Sequence, residues 1–330
     1  MRNVLLVASL SERYYFDPFL EACEHTNLHL YLLDPSRFLS EMVMGVVLEN
    51  DGKLSGFVEV LDLSGTHPEK VRLSVSDIDV AWYIREGPAG STVEESSLEE
   101  RFVRNESRGA LRSFFSTLAC TWINHPETMD RIASNKLFQQ QVARRVGLMT
   151  PMTLLSNDPG SVVSFSSQKN GLLLKSIGYT KLDDEGQYFL YSQRISHQEI
   201  KQSASAIRRC PVFSQEYVEK RYEHRVMVIG NRILSCRIDS QASEATRVDW
   251  RHYDFGNVEH LQVELPHETK KKLLQFMDAI GLKYGAIDLI ETPNGNFVFL
   301  EVNPSGQWGW IADLAGLPIP EAVAEMLAFL

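Results

Sequence analysis

The sequence predicts a mixed α/β protein of two or three domains, and three observations support this prediction. The chain has 330 residues, which exceeds the usual size of a single domain. In its first part, short apolar runs alternate with a helical pattern, an order typical of a sheet covered by helices. Later the pattern changes to successive strands separated by tight-turn dipeptides, which indicates antiparallel sheets.

The composition is that of an ordinary globular protein, with 44% hydrophobic and 23% charged residues. A net charge of -10 argues against nucleic-acid or anionic-membrane partners, since both require dense positive charge. No apolar stretch approaches the length of a membrane span, and the apolar run at the start is too short for a signal peptide. The four cysteines are scattered without metal spacing, so we expect reduced thiols in the cytoplasm, without disulfide or zinc.

The first 124 residues are predicted to form a small α/β domain. Its predicted elements are strands over Val4–Ala8, Leu28–Leu33, Gly56–Leu61 and Ala81–Arg85, a helix over Phe19–Glu24 and an exposed loop over Gly87–Glu100. The residues after the first strand contain no glycine, so the glycine-rich cradle of a dinucleotide-binding domain is absent. This absence argues against a dehydrogenase.

The rest of the chain is predicted to form two further lobes, over residues 125–214 and 215–330. A helix opens at His125-Pro126, and a second, capped by Ser134, covers Asn135–Val146 and stops at Gly147. The other predicted elements are strands over Gly171–Ser176, Gln187–Tyr191, Val212–Val218, Arg225–Ile229 and Ile233–Ile238 and a helix over Glu268–Ile280. A glycine-bounded turn over Gly178–Gly186 is expected to act as a flap, and Gly230-Asn231 marks a tight hairpin.

Two apolar runs near the C-terminus carry three oxygen-bearing side chains. The runs cover Tyr284–Thr292 and Asn296–Pro304. The dipeptide Asn294-Gly295 between them is a strong signal for a two-residue type I′ hairpin, which places Asp288 directly opposite Glu301 and Asn303 two residues further along the same face. Two carboxylates this close repel unless a cation lies between them, and hard oxygen ligands suit Mg²⁺. The sequence therefore predicts a magnesium site shared with phosphates.

The other face of this hairpin is expected to be buried, because the neighbours of the acids are all apolar. These neighbours are Ile287, Leu289, Leu300 and Val302. A solvated sheet face with unrelated acids is the alternative, but a polar triplet within continuous apolar strands favours the metal site.

Short motifs along nearly the whole chain form a recognisable set. They are AWYIR (81–85), WINHP (122–126), NKLFQ (135–139) before Gly147-Leu148, QEYV (215–218), EHRV (223–226), DWR (249–251), YGAID (284–288) and FLEVNPSG (299–306). In these motifs the chain resembles the ATP-grasp ligases, and most closely the microviridin-type or graspetide synthetases, which macrocyclise ribosomal peptides. This resemblance implies an ATP-grasp fold with an N-terminal Rossmann-like pre-ATP-grasp domain, a central small lobe and a C-terminal lobe that holds the magnesium site.

The resemblance also implies roles for individual residues. Asp288, Glu301 and Asn303 match the residues that hold the magnesium ions bridging the ATP phosphates. Lys136 and Lys175 match two lysines that contact phosphate. Without the family match, Lys136 is predicted to be a solvated residue in a first helical turn. Lys175 closes an apolar strand, where its cation would need an anionic partner.

Further matches concern the nucleoside and the transferred phosphate. Glu216, Tyr217 and Val218 correspond to a segment whose backbone meets adenine, and Glu223 corresponds to the acid on the ribose. The alternative for the Glu216 and Tyr217 side chains is that they occupy ordinary strand positions and have no role in nucleotide binding. Arg225 matches an arginine that neutralises the transferred phosphate.

Two positions leave alternatives open. Arg251 is a plausible second cation, although an arginine after tryptophan can also stack in a structural role. The segment Gly306–Trp310 can line a substrate groove or simply pack the start of a helix.

These matches imply an ATP-dependent peptide macrocyclase. The γ-phosphate would be transferred to an Asp or Glu side chain of a precursor peptide, giving an acyl phosphate that a Ser or Thr hydroxyl or a Lys amine then attacks. The product would be a macrolactone or a macrolactam. The implied partners are ATP, Mg²⁺, a precursor peptide with a leader sequence and a second copy of the chain.

Two rival functions remain open. Arg237 departs from the cyclase pattern. It therefore leaves open a second function, that of a ligase that joins a free amino acid or amine to a small carboxylate or a protein terminus. A non-catalytic nucleotide sensor on the same fold is the other rival, but the complete acidic triplet argues against it.

Overall fold

The structure is a computed structural model, and it describes residues 1–10, 17–38, 40–65, 67–85, 97–167, 171–177, 190–252 and 254–330. The chain divides into two compact units, one formed by Met1–Met129 with Pro318–Leu330 and the other by Asp130–Leu317. The predicted division into three segments, 1–124, 125–214 and 215–330, stays a prediction. Among the described helices, none combines the length and the hydropathy needed to cross a membrane.

The strands in the described part, in chain order, are β1 (Arg2–Ala8), β2 (Leu28–Leu33), β3 (Met44–Leu48), β4 (Leu54–Asp62), β5 (Glu69–Ser74), β6 (Val80–Arg85), β7 (Thr121–Ile123), β8 (Thr153–Ser156), β9 (Leu172–Lys175), β10 (Gln193–Ile195), β11 (Val212–Glu216), β12 (Tyr222–Ile229), β13 (Arg232–Ile238), β14 (His260–Val263), β15 (Tyr284–Glu291) and β16 (Phe297–Asn303). The α-helices are α1 (Asp17–Cys23), α2 (Leu98–Thr117), α3 (Pro126–Ala133), α4 (Lys136–Arg145), α5 (Pro159–Ser167), α6 (His197–Gln202), α7 (Ala204–Arg209), α8 (His267–Ile280), α9 (Gly309–Ala315) and α10 (Ile319–Phe329).

The first unit is built on a seven-stranded sheet in the order β3-β4-β2-β1-β6-β7, with β5 paired to β4. Strands β2, β1, β6 and β7 are parallel, and β3, β4 and β5 extend the sheet with antiparallel pairs. All residues from Val4 to Ala8 are fully buried, as expected for a central parallel strand covered on both faces. Arg2 donates to the carbonyls of Leu327 and Ala328, which joins α10 to the first strand.

The second unit contains two antiparallel sheets. A four-stranded sheet has the order β10-β9-β11-β8, and a five-stranded sheet has the order β14-β13-β12-β15-β16. One face of the five-stranded sheet packs its apolar side chains against α4 and α8, with Phe276 and Phe299 in ring contact at 4.7 Å. The predicted mixed α/β architecture is therefore confirmed.

The hairpin of β15 and β16 pairs Asp288 with Glu301, as predicted, but its loop differs from the predicted two-residue turn. The amide of Gly295 donates to the carbonyl of Thr292, and Thr292 pairs with Asn296, so the loop has three residues instead of two. Gly295 has φ 77°, whereas no positive φ occurs at Asn294, which excludes a type I′ turn and matches a type I turn followed by a left-handed glycine.

A bulge on β16 restores the predicted pairing. Leu289 pairs with Phe299, whereas Asp288 pairs with Glu301, so Leu300 is the extra residue. Leu300 was expected on the buried face with its neighbours. Because of the bulge, Leu300 instead lines the same pocket as Glu301, whereas Ile287, Leu289 and Val302 are buried as expected.

Several predicted boundaries are corrected by the structure. The N-cap of α4 is Asn135, not Ser134, because the Asn135 side chain accepts from the amide of Phe138 at 3.1 Å. The polar segment predicted as a loop ends in the first turn of α2, which a capping box between Ser97 and Glu100 begins. Residues 190 and 191 are not in a strand, and the strand that pairs with β9 is Gln193–Ile195. The predicted flap, Gly178–Gly186, lies outside the described residues.

His224 on β12 is a buried histidine that should make stability depend on pH. Its Nε2 lies 3.0 Å from Glu291 Oε2, and its ring contacts Phe297. Burial lowers the pKa of His224, and Arg237 adds to this, although Glu291 opposes it. A lowered histidine pKa means that the unfolded chain binds the proton more readily, so the free energy of unfolding should fall as pH drops below about 6.5.

We expect this loss to be at most about 1.4 kcal/mol per pH unit, and to be smaller in the variant His224→Gln. Urea unfolding at pH 8.0 and 5.5 measures it, with both proteins compared at each pH. An equal loss of stability in the two proteins would show that His224 is not responsible.

Candidate active site

A pocket in the second unit brings together most of the predicted site residues. It lies between the four-stranded and the five-stranded sheets. Its lining residues are Pro151, Leu173, Lys175, Ser192, Gln215, Glu216, Tyr217, Val218, Lys220, Glu223, Val248, Asp249, Trp250, Arg251, Asp288, Ile290, Leu300 and Glu301. Apolar side chains and charged groups therefore share one cleft, the composition expected of a small-molecule site with fixed polar anchors.

Each of the two opposed carboxylates is paired with a cation. Asp288 Oδ1 lies 3.0 Å from Arg225 Nη1, and Glu301 Oε2 lies 3.0 Å from Lys136 Nζ. Burial would raise the pKa of Glu301, but Lys136 and Lys175 lower it to about 2. Burial raises the pKa of Asp288, Arg225 offsets part of this effect, and Glu301 adds to it. The two acids thus differ. Glu301 stays ionised, whereas Asp288 binds a proton more readily than an ordinary aspartate does.

Helix α4 holds Glu301 in place from both sides. The amide of Val302 donates to Gln139 Oε1 at 2.9 Å, and Gln139 Nε2 donates back to the carbonyl of Val302 at 3.2 Å. Gln140 donates to the carbonyl of Leu300. These glutamines satisfy backbone groups that the edge strand β16 would otherwise leave unpaired. The same helix carries Lys136, which also donates to the carbonyl of Ser176 at 3.1 Å.

Asp249 fixes Arg251 by a bidentate ion pair. Arg251 donates from Nε to Oδ1 at 2.8 Å and from Nη2 to Oδ2 at 2.5 Å. Asp249 also accepts from the amides of Ser192 and Arg251. Burial would raise the pKa of Asp249, but the bonds from Arg251 hold it well below its usual range. Asp249 was part of a recognised motif but had no predicted role, and the structure gives it one as the anchor of Arg251.

Four cations therefore surround this cluster, whose acids are Asp288, Glu301 and Asp249. The cations are Lys136, Lys175, Arg225 and Arg251. This local excess of positive charge occurs in a chain whose net charge is -10, so the cluster is suited to an anion. Burial lowers the pKa of Lys175, which indicates that its ammonium lacks full compensation in the free protein.

The segment after β11 forms another wall of the pocket. Tyr217 lies under the guanidinium of Arg194, with 4.2 Å between the guanidinium carbon and the ring centroid. Glu216 Oε1 accepts from the amide of Met152 at 2.9 Å, so its side chain joins β11 to the chain before β8. For the Glu216 side chain, the geometry thus supports the alternative of an ordinary structural role in the strand.

Glu223 is buried and ion-paired. Lys220 Nζ lies 2.6 Å from Glu223 Oε1 and donates to the carbonyl of Val248 at 3.0 Å. Burial raises the pKa of Glu223, and Lys220 acts in the opposite direction. Lys220 was not among the predicted site residues, and the spacing of three residues between lysine and glutamate was its only sequence signal.

Several predicted positions are not among the lining residues. Of these, Lys136 and Arg225 are paired with the lining acids Glu301 and Asp288. Asn303 is exposed at the end of β16, on the strand that carries Glu301. Trp308 is buried, whereas Trp310 stacks on Trp250 with ring centroids 4.8 Å apart. Arg237 pairs in register with His224, next to Arg225, so it points to the opposite face of the sheet, where it covers the Tyr222 ring. Arg237 therefore contributes nothing to the pocket.

The close packing behind Arg225 depends on Gly306. A Cβ atom at this position would lie 2.2 Å from the Cβ of Ala286 and 3.0 Å from Arg225 Nη2. We expect Gly306→Ala to lower the free energy of unfolding by about 1–3 kcal/mol and to displace Arg225. Chemical unfolding measures the first effect. Gly256→Ala is the matched control, because nothing lies within 4 Å of a Cβ there; equal stability of the two variants would contradict this account.

The residues fit a magnesium nucleotide. The apolar walls suit a base, the four cations suit phosphates, and Asp288 and Glu301 supply the one or two carboxylates with which Mg²⁺ usually binds beside phosphate. The buried Nε of Arg225 has no hydrogen-bond partner among the described residues, so this guanidinium has a donor available for an anion. In the described ranges, no three His, Cys, Asp or Glu side chains cluster to hold a metal by themselves.

Comparison with known proteins gives a consistent result. Residues 133–327 match the family of RimK-like ATP-grasp domains. No curated protein matches the chain.

Among solved structures, the chain is similar to the macrocyclase MdnC bound with precursor peptide MdnA from Microcystis aeruginosa MRC, with 25% identity, a TM-score of 0.82 and coverage of 99% of this chain and 100% of that one. A RiPP-associated ATP-grasp ligase from Chryseobacterium gregarium, in complex with ADP and a leader and core peptide, has 22% identity, a TM-score of 0.88 and coverage of 100% and 97%. The ATP-grasp ligase PsnB, complexed with a phosphomimetic variant of minimal precursor, Mg and ADP, has 19% identity, a TM-score of 0.75 and coverage of 99% and 98%.

Proposed function

The chain belongs to the RimK-like ATP-grasp family, and from this membership we propose that it is an ATP-dependent macrocyclase of a ribosomally made precursor peptide. The observation that carries the proposal is the cluster of four cations around the opposed pair Asp288 and Glu301. Likeness over the full length to a macrocyclase bound with its precursor peptide supports the choice of substrate.

The proposed reaction joins a carboxylate to a hydroxyl or an amine at the expense of ATP. The bond between the γ-phosphorus and the bridging oxygen breaks, ADP leaves, and an oxygen of a peptide carboxylate takes the phosphoryl group. The peptide nucleophile then attacks the carbonyl carbon and phosphate leaves, so each new ester or amide removes one water from the peptide. Catalysis of such a transfer rests on positioning and charge stabilisation, which fixed cations provide.

Each site residue has a proposed task. Arg225 and Arg251, both held by carboxylates, neutralise the transferred phosphoryl group, and Lys136 and Lys175 bind the remaining phosphates. The backbone of Glu216, Tyr217 and Val218 borders the adenine, and Glu223 binds the ribose. Asp288, Glu301 and Asn303 would hold Mg²⁺, which, when bound, neutralises phosphate oxygens and fixes their orientation.

The sequence feature that favoured a small-molecule ligase is not found in the pocket. Arg237 was the residue that favoured it, and Arg237 lies on the face of the sheet away from the pocket. We therefore favour the peptide macrocyclase.

The test is the intact mass of the precursor peptide after incubation with the protein, Mg²⁺ and ATP. A small, acidic, threonine-rich peptide encoded beside this gene is the candidate. We expect the loss of one or more waters, abolished by Glu301→Gln. An unchanged peptide mass with ATP consumed in the presence of free amino acids would replace the proposal with the small-molecule ligase.

We further propose a homodimer in the cytoplasm. The graspetide resemblance supports the dimer, and four scattered cysteines without a disulfide or metal pattern in the sequence favour a reducing compartment. Light scattering of the purified protein tests the dimer, and a mass equal to one chain of 37.5 kDa would contradict it.

A further inference from the structure

We propose that the free edge of β8 is an interface with a second copy of this chain, in which the two β8 strands pair antiparallel about a two-fold axis at Leu154. This location rests on the homodimer proposed above and is independent of the reaction that the protein catalyses. The pairing joins the four-stranded sheets of the two copies into one continuous sheet.

The edge of β8 lacks the usual protection against pairing. Among the described residues, β8 pairs with β11 alone. The amide of Glu216 donates to the carbonyl of Met152, so by alternation the backbone groups of Thr153 and Leu155 face away from β11, and in the described part of the chain they bond to no other backbone group. Natural sheet edges are usually protected by charge, proline or a bulge, and the strand Thr153–Ser156 has none of these.

Exposed apolar side chains and a cavity border this edge. Leu137, Met149, Met152 and Leu155 are each at least 43% exposed. A cavity of about 610 Å³ adjoins the start of β8, and Leu137, Met152 and Thr153 are among its lining residues. Apolar groups gathered beside an open strand edge mark a site of protein interaction.

The register of the paired strands follows from their outward groups. Pairing Thr153 with Leu155 of the second copy uses these groups on both strands, and the two-fold axis repeats the pair. A register that pairs Leu155 with itself would match Thr153 with Asn157, which lies beyond the strand, and Pro151 has no amide to offer Leu155. Leu154 therefore lies opposite Leu154 of the second copy. Leu155 of each copy lies beside Thr153 of the other, a lining residue of the cavity.

Charges at the two ends of β8 complement each other in this arrangement. Arg144 donates to the carbonyls of Thr150 and Pro151 before β8, whereas Asp158 follows its end. Antiparallel pairing sets the start of one strand beside the end of the other, so Arg144 of each copy faces Asp158 of the second copy. Self-complementarity of this kind is what a two-fold interface requires.

Analytical ultracentrifugation of full-length variants tests the interface. Leu155→Pro removes an outward amide and is a change that edge strands tolerate, and Leu155→Lys adds a charge that edge strands use against pairing. We expect each to raise the dimer dissociation constant at least about tenfold. The matched control is Val47→Lys, at an exposed position on β3, which is another uncharged edge strand. It should dimerise like the original protein. If the control loses the dimer and the Leu155 variants keep it, the interface lies at β3 and the β8 assignment is wrong.

Cysteine crosslinking tests the register without relying on a loss of association. In a Cys210→Ser background, which removes the exposed native thiol, Leu154→Cys should form a dimer-sized disulfide product under air with a copper–phenanthroline catalyst. Opposed residues of this type have Cα atoms about 4.5 Å apart, within the range that a disulfide spans. Leu155→Cys faces its own counterpart only diagonally, at about 7–8 Å, and should crosslink poorly. Equal crosslinking at the two positions would overturn the register, and none at either would overturn the interface.

The outcomes separate this interface from the proposals on which it rests. A monomeric original protein would contradict the dimer and the interface together, whereas a dimer unaffected by the Leu155 variants would contradict the interface alone. The mass of the precursor peptide decides on the macrocyclase independently of either result.

Discussion

Replacing Asp288 by Asn is expected to abolish peptide cyclisation while leaving the nucleotide-free protein at least as stable as the original. Burial raises the pKa of Asp288, Arg225 offsets part of the effect, and Glu301 adds to it. A raised carboxyl pKa means that the folded protein binds the proton more tightly than the unfolded chain does. The ionised group therefore costs stability, and this cost develops as pH rises from about 4 through the folded pKa. Asn removes the charge and keeps an oxygen for Arg225.

Activity should respond in the opposite direction. Asp288 is one of the two opposed carboxylates of the β15–β16 hairpin, and these are the carboxylates proposed to hold Mg²⁺, so its loss should lower the cyclisation rate at least about 100-fold. It should also remove the stabilisation that Mg²⁺ and ADP give the original protein in thermal unfolding. Peptide mass spectrometry and melting curves with and without Mg²⁺ and ADP measure the two effects.

The control for this variant is Asp278→Asn, a change of the same chemistry at an exposed position on α8. It should cyclise peptide at the original rate and keep the response to Mg²⁺ and ADP. If Asp288→Asn instead retained activity, or lost several degrees of melting temperature without nucleotide, the account of this acid would be wrong.

Replacing Arg225 should have the largest effect on turnover. Arg225 is buried and bonded to Asp288 at 3.0 Å, and it has donors left for a transferred phosphoryl group. Removing a cation that stabilises such a transition state lowers turnover by about 10³–10⁵-fold. We expect Arg225→Met to reach this range and Arg225→Lys to be intermediate, since lysine keeps the charge but not the planar fork. Single-turnover cyclisation at saturating ATP measures the loss.

Arg225→Met should also lower the free energy of unfolding by about 3–5 kcal/mol, because it leaves Asp288 buried without its cation. The double variant Arg225→Met, Asp288→Asn tests this reason. It should recover most of the stability but none of the activity. A double variant as unstable as Arg225→Met would show that the arginine stabilises the fold by packing and not by its charge.

The hairpin shows how far the sequence could predict the site. The pairing of Asp288 with Glu301 followed from a dipeptide and the alternation of apolar residues, and it is confirmed. The mechanism of the pairing was wrong, because Pro293 precedes Asn294 and the loop closes with three residues. Nothing in the sequence marks the compensating bulge at Leu300, where the carbonyl accepts a hydrogen bond from Gln140 on α4, 160 residues away in the chain.

Two other differences have distinct causes. The start of helix α2 could have been predicted from the sequence, since Ser97 and Glu100 have capping-box spacing. It was missed because these residues were assigned to the polar segment predicted as a loop. Gln215 belongs to the recognised motif QEYV, but no role was predicted for its side chain. That one of its amide atoms lacks a partner depends on Thr153, on another strand, which local patterns do not reveal.

The bulge at Leu300 has a consequence for how this protein can mutate. Side chains alternate between the faces of a sheet, so the three-residue loop and the bulge each shift the alternation by one residue, and the two shifts cancel. Loss or gain of a single codon between Leu289 and Glu301 would leave one shift uncancelled and turn an acid from the pocket towards the core. Surface hairpin loops usually tolerate such length changes. In this hairpin, only substitutions and paired length changes would preserve the site, so homologous genes should keep the spacing even where the residues differ.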